Sequence, residues 1–312
     1  MRAMSTTRTL TNVTLLAALG LGLSATACDK NKDATVNADE ASEATPESTD
    51  AAAAEAPAFP DLDSAIAGAH RSDANKARDT YRHPKETLEF FGVDRNMTVV
   101  ELWPGGGWYT EILGPYLRDE GTYLVANWPA DHERYGAYAV KFSEKIAANP
   151  ELYGTPAVAG VSPEATLDTV DFAPEGSADV VLTFRNSHGW YNNGMTDVIY
   201  GAAFKALKPG GIFGVVQHRA AEGTNAEETA KQGYLPEAVV IEAAQKAGFE
   251  LVEKSEINAN PSDTKDHPGG VWNLPPSLSS GDRDNPMSDE DKAKYEAIGE
   301  SDRMTLKFKK PE

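Results

Sequence analysis

Cysteine is almost absent: the 312 residues contain one, Cys28. A single thiol makes no disulfide within the chain. Positive charge is scarce too. Lys and Arg number 29 against 48 Asp and Glu, for a net charge of −19. Two arginines in the first 27 residues and a net −6 over 28–60 leave −15 for residues 61–312. Nucleic-acid phosphates reward Lys and Arg, so no nucleic-acid partner is expected. Long apolar runs are also missing. Val13–Leu23 is too short to span a bilayer, and no other segment is a transmembrane candidate. No internal repeat is present. Hydrophobic residues still make up 40% of the chain, enough for a sizeable core.

The short apolar run has a specific setting. Arg2 and Arg8 precede it, and Ser24-Ala25-Thr26-Ala27 follows, ending at Cys28. That is the layout of a secretory signal. A cysteine directly after small residues reads as a bacterial lipidation site, although Ala25 stands where leucine is commonest. Cleavage after Ala27, leaving a free thiol, is the alternative. The expectation is a lipoprotein signal over 1–27 and a lipid anchor at Cys28, placing the protein at the periplasmic side of the cell envelope. Each buried lipid methylene adds roughly 0.8 kcal/mol of membrane affinity. Residues 28–60 are Ala, Glu, Asp, Ser, Thr and Pro, with almost no large apolar residue before Phe59. They bury too little to offset their ordering entropy and read as a disordered acidic tether. Residues 61–312 are left as the domain.

Within the domain, Val- and Leu-rich runs alternate with helix-like segments, the βαβ rhythm of a parallel sheet. Strands are expected at Thr98–Leu102, Tyr123–Asn127, Ala157–Val161, Asp179–Phe184, Ile212–Gln217, Glu250–Ile257 and Thr305–Lys309. Helices are expected at Pro84–Phe91, Trp108–Leu117, Tyr135–Ala148, Asp197–Leu207 and Pro236–Ala247. Lys208-Pro209-Gly210-Gly211 reads as a turn from helix to strand. The segment Asn258–Ser301 is rich in Pro, Gly, Asp and Ser, and a loop of that length is a candidate lid.

One motif stands out. The buried run Thr98–Leu102 carries Glu101 near its end, and Trp103-Pro104-Gly105-Gly106-Gly107 leads into the next helix. Glycines there bring bare backbone close to a ligand, and a helix N-terminus adds free N–H groups. With Thr183-Phe184-Arg185-Asn186-Ser187-His188 and Gly299–Met304, this sequence resembles the class I S-adenosylmethionine-dependent methyltransferases. It is most similar to a family of exported predicted methyltransferases of bacteria. The resemblance implies a Rossmann-like α/β fold with a seven-stranded, mostly parallel sheet whose last strand is antiparallel. It implies S-adenosylmethionine as cofactor, with Glu101, Gly105, Gly106 and Gly107 lining its pocket. The motif departs at two points. Trp103 stands where the family has a glycine, and Asn127 ends the second strand where an acid usually grips the ribose.

Ligands of open α/β sheets bind at the carboxyl ends of the strands. Arg185, Asn186, His188, Trp190 and Tyr191 follow the fourth strand and His218 ends the fifth; Asp263 and His267 lie in the long loop. Histidine is readily poised as acid or base, so His188 and His218, with Arg185, are the candidate catalytic groups. Asn186, Trp190, Tyr191, Asp263 and His267 are candidate contacts to a small-molecule substrate. Each also has a structural reading: loop packing for the aromatics, an ion pair with Glu300 or Asp302 for Arg185, a turn for Asp302-Arg303. His188, His218, His267 and Asp263 could form a metal site, but no two of the histidines have close ligand spacing. The expected function is methyl transfer to a small molecule. The alternatives are ligand binding without chemistry and a different, metal-assisted reaction on the same fold.

Overall fold

The structure, a computed structural model, describes residues 58–312 apart from Arg283. The signal segment, the tether as far as residue 57 and Cys28 lie outside the described residues. Four helices come first: α1 (Leu62–Ala67), α2 (Asp73–Lys76), α3 (Asp79–Arg82) and α4 (Pro84–Phe91). Next come β1 (Thr98–Leu102), α5 (Thr110–Leu117), β2 (Thr122–Asn127), α6 (Gly136–Ala147), α7 (Pro150–Tyr153) and β3 (Ala157–Gly160). The centre is β4 (Ala178–Phe184), α8 (Ser187–Asn192), α9 (Thr196–Ala206) and β5 (Leu207–His218). The chain ends with α10 (Ala226–Thr229), α11 (Glu237–Lys246), β6 (Glu250–Ser255), α12 (Asp289–Ile298) and β7 (Arg303–Lys309).

The strands make one seven-stranded sheet in the order β3-β2-β1-β4-β5-β7-β6. β1 to β5 pair in parallel, and β7 is antiparallel to both β5 and β6. This is the expected Rossmann-like arrangement with a reversed last strand. The strand order changes direction between β1 and β4, which opens a crevice at their carboxyl ends.

Burial on both faces explains the apolar strands. Successive side chains of β1 point to opposite faces. Val99 joins Phe91, Ile112 and Leu113 on one side, while Val100 and Leu102 join Tyr200, Phe213 and Phe308 on the other. α5 is buried along its whole length, so it has no polar face for sequence periodicity to reveal.

Several boundaries differ from expectation. Phe59 is buried and packs edge-on against His70 at 5.0 Å, so the folded domain begins before residue 61. α5 begins at Thr110, two residues past Trp108, because the glycine turn is still unwinding. Lys208–Gly211 does not break the chain direction but extends β5, because Gly210 N–H bonds Lys310 C=O and Lys310 N–H bonds Gly211 C=O, both at 2.9 Å. The 258–301 segment is not structureless: it holds a 3-10 turn at Gly270–Asn273 and all of α12, with Ser288 as N-cap.

Candidate active site

Two strands leave the sheet side by side at the crevice. β1 exits through Trp103 and β4 through Arg185, both left-handed with φ 47° and 66°. Left-handed backbone is costly for a bulky L-residue and tends to occur where a site needs it. Asn186 ties the two exits together. Its Nδ2 donates to Leu102 C=O at 2.9 Å and lies within 3.2 Å of Trp103 C=O and Thr183 Oγ1.

On one side of this tie lies a cavity of about 390 Å³. It is lined by Glu101, Phe184 and Arg185 from the strand ends and by Trp272, Pro275 and Pro276 from the long loop. Its most unusual feature is its charge. Arg78, Arg82, Arg185 and Arg303 all line it. Three of them converge on Glu300, which is 1% exposed. Arg78 Nε donates to Oε1 at 2.6 Å, Arg82 Nε to Oε2 at 2.9 Å, and Arg303 Nη2 also to Oε2. Burial pushes the Glu300 carboxyl up, but Arg303, Arg82, Arg185 and Arg78 together hold it well below the usual carboxylate range. The Arg185 guanidinium makes no hydrogen bond or ion pair with any described residue, although its backbone N–H bonds Val216 C=O. Burial and the charge of Arg303 lower it to about 10.

Both candidate histidines line the same cavity, their rings 5.7 Å apart. Gln217 Nε2 donates to His188 Nδ1 at 3.3 Å and to Gly233 C=O at 3.0 Å. That places the proton of neutral His188 on Nε2, making this face a donor. Burial, then Arg185, brings His188 down to about 4, against a favourable contact from Gln217. His218 Nδ1 lies 2.5 Å from Ser301 Oγ, and burial followed by His188 and the arginines depresses it well below the usual range. When Nδ1–H donates to Ser301, Nε2 of His218 is free to accept a proton.

A second, more apolar cavity of about 520 Å³ opens across the tie, beyond the end of β2. Trp128 and Tyr135 stack at 5.2 Å with their planes 18° apart, and Tyr138 beside them is 68% exposed. Asn127 also lines it, its Oδ1 accepting from Trp128 N–H at 2.9 Å. Trp103, Gly105, Gly106 and Asn186 line both cavities, so the two adjoin at these residues. A Cβ added to Gly105 or Gly106 would meet no atom within 4 Å, which leaves that backbone open to a ligand. The Trp103 indole lies between Trp128 and Trp190, at 5.4 and 5.1 Å, and its buried Nε1 has no partner.

The expected site residues therefore divide. Arg185, Asn186, His188 and His218 come together around the arginine cavity. Asn127, Gly105 and Gly106 come together around the aromatic one. Glu101 lines the arginine cavity, where its buried carboxylate accepts from Thr110 Oγ1 at 2.8 Å and from Tyr123 OH. Burial raises Glu101 to about 7 against these two bonds.

Gly107 lies on neither wall. At φ 80°, it packs where a Cβ would sit 3.3 Å from Phe142. Trp190 is 1% exposed in the core against Tyr200, and Tyr191 packs on the same cluster, because α8 turns its apolar side inward. Asp263 and His267 are also buried away from both cavities, at 3% and 5% exposure. Asp263 accepts from Tyr234 OH at 3.0 Å, from His267 Nε2 at 2.9 Å and from Asp302 N–H at 2.8 Å, so its oxygens are spent holding the loop. His188, His218, His267 and Asp263 thus do not converge. Among the described residues no group of three or more His, Cys, Asp or Glu is placed to hold a metal ion. Asp302 is structural, paired with Arg219 and Lys265, but its neighbour Arg303 belongs to the cavity. Arg78 and Arg82 had no signal in the sequence, since they lie at the two ends of the short helix α3, over two hundred residues before Arg303.

No protein-family model and no curated protein matches the chain. Solved structures do. A proposed sarcosine dimethylglycine methyltransferase from Galdieria sulphuraria is similar over 76% of this chain and 86% of its own, with 12% identity and a TM-score of 0.50. An S-adenosylmethionine-dependent methyltransferase from Aquifex aeolicus is similar over 58% of this chain and 87% of its own, with 16% identity and a TM-score of 0.44. At such identities the likeness concerns fold. With the strand order above, it shows that the domain has the class I methyltransferase fold.

Proposed function

We propose that the domain binds S-adenosylmethionine in the aromatic cavity and directs its methyl group to a small molecule held in the arginine cavity. One observation carries this reading: two cavities of different character meet at Gly105, Gly106, Trp103 and Asn186, at the point where the strand order reverses. The residues fit the cofactor. Trp128, Tyr135 and Tyr138 offer plates for a purine, Asn127 offers an amide to ribose hydroxyls, and the bare Gly105-Gly106 backbone suits the amino-acid end. When bound, the cofactor supplies an electrophilic methyl group. The chain supplies the rest. His218 Nε2 accepts a proton from the acceptor molecule, His188 Nε2–H donates a hydrogen bond to it, and the Trp272 lid excludes water. We further propose that the protein works at the periplasmic side of the envelope, held by lipid at Cys28, as the sequence before residue 60 suggests.

Calorimetric titration with S-adenosylmethionine and S-adenosylhomocysteine tests this. Binding should be saturable, and Tyr138→Ala should weaken it about tenfold. No heat at high micromolar cofactor would sink the reading. A second reading, ligand binding without methyl transfer, is favoured by the aromatic cavity's own wall, which carries Lys141 and Lys145 and no acid. The same titration separates the two.

A further inference from the structure

The arginine cavity is electrically out of character with its chain. Four guanidinium groups line it, and among the described residues the one carboxylate that touches any of them is Glu300. Burial raises Glu101, the other acid near the wall, to about 7, so it offsets the arginines only in part near neutral pH. An excess of two to three positive charges is thus left over, according to the ionisation of Glu101, in a protein whose net charge is −19. Pairing with Glu300 does not account for them. Arg82 uses only Nε on Glu300, and its Nη1 and Nη2 are buried without a partner. Arg82 is 2% exposed and held in place by the face of Trp108, 4.7 Å from the guanidinium carbon. Arg185 meets no carboxylate among the described residues, although its backbone is left-handed at φ 66°. Buried donors without partners are costly, and several in one cavity call for a missing acceptor.

We propose that Arg78, Arg82, Arg185 and Arg303 form a receptor for an oxyanion, the phosphate or carboxylate of a small molecule. Planar guanidinium groups match both anions with paired N–H bonds. A positive cavity in an acidic protein draws small anions inward and leaves cations outside. Water exclusion beneath Trp272, Pro275 and Pro276 strengthens each contact. The inference rests on the proposed function only in making that small molecule the methyl acceptor. The anion site stands by itself.

The test uses the purified chain without cofactor. Inorganic phosphate and, separately, succinate are titrated at constant ionic strength, following tryptophan fluorescence, because Trp103, Trp108 and Trp272 line the cavity. Saturable binding of at least one anion below about 10 mM is expected. Arg185→Gln should weaken it about tenfold or more, while Lys246→Gln, an equal change of charge on the exposed surface, should leave it within about twofold. Arg78→Gln, at the cavity rim, serves as a second variant if the first does not fold. Which anion binds names the group. Absence of binding by both anions, or equal loss in the arginine and lysine variants, overturns the proposal. S-adenosylmethionine is titrated into the same samples. Anion binding without cofactor binding defeats the methyltransferase reading alone, and the reverse defeats the anion receptor alone.

Discussion

Trp103 and Arg185 hold equivalent posts on neighbouring strands. Each follows the last residue of its strand, each is left-handed, and each donates its N–H at 2.7 Å to the adjacent strand, Trp103 to Ala126 C=O and Arg185 to Val216 C=O. The sheet thus makes the same turn twice; the first turn packs an indole into the core beside both cavities and the second sets a guanidinium on the wall of the arginine cavity. The motif's departure from glycine at Trp103 does not block the crevice, because the indole enters the core instead.

Trp103→Gly follows from that placement. Glycine relieves left-handed strain of about 1–2 kcal/mol. Removing a buried tryptophan costs about 3–5 kcal/mol. Packing wins, and the variant should lose roughly 1–4 kcal/mol in urea unfolding. A gain in stability would show that strain dominates.

Glu300→Gln should be among the most damaging single changes. It leaves Arg78, Arg82 and Arg303 facing one another with no counter-charge. Breaking a buried ion pair from one side costs about 3–5 kcal/mol. If the cavity binds oxyanions, phosphate should restore part of that loss in a thermal melt, and Arg185→Gln added to it should reduce the rescue.

Glu101 gives a stability difference that grows with pH. Its folded value of about 7 exceeds the ordinary 4.5, so the folded state holds an extra proton between these two values. Ionised Glu101 therefore costs stability fully above about pH 7 and nothing below 4.5. Glu101→Gln keeps an acceptor for Thr110 and Tyr123 and removes that cost. Its melting temperature should rise relative to the parent at pH 8, by up to about 3 kcal/mol of stability, and match it near pH 4. Equal shifts at both pH values would refute the assignment.

His188 acts in the opposite direction. Unfolded, it takes a proton near 6.5; folded, only near about 4. Its neutral form supports the fold above pH 6.5, and that support is lost as pH falls between these two values. His188→Gln should flatten the acid limb of the stability curve over that window, as read by melts at pH 7, 5.5 and 4.5. An unchanged slope would show that the ring is solvated. An anion among the arginines would offset their charge, so bound phosphate should raise His188 and be readable by NMR titration.

Much of the fold was legible from local pattern. Thr98–Leu102 is a run of β-branched and aliphatic residues long enough for a strand and too short for a helix, and the glycines after it mark a close turn. That His188, His218 and Arg185 would meet at one edge was legible because they follow strands, and topology sends every parallel strand's carboxyl end to one edge. Trp190 was misjudged by the same rule. It lies in the right loop, but a short helix rotates it inward, and helix phase over six residues cannot be read from so few apolar positions. Asp263 and His267 failed for another reason: a loop residue's partners, here Tyr234 and the Asp302 N–H, are set by distant chain.

The sequence by itself determined the strand pattern, the glycine turn and the acidity of the chain. These depend on residue type and near neighbours. Only the tertiary structure decided that an acidic protein carries a positive cavity. Arg78 and Arg82 flank and end the short helix α3 ahead of the sheet, Arg185 follows the end of β4 and Arg303 starts β7, and net charge records their number but not their meeting. Charge is additive along a chain, whereas potential depends on distance. Folding therefore gathers four scattered arginines around Glu300 and makes the glycine turn one side of a shared wall.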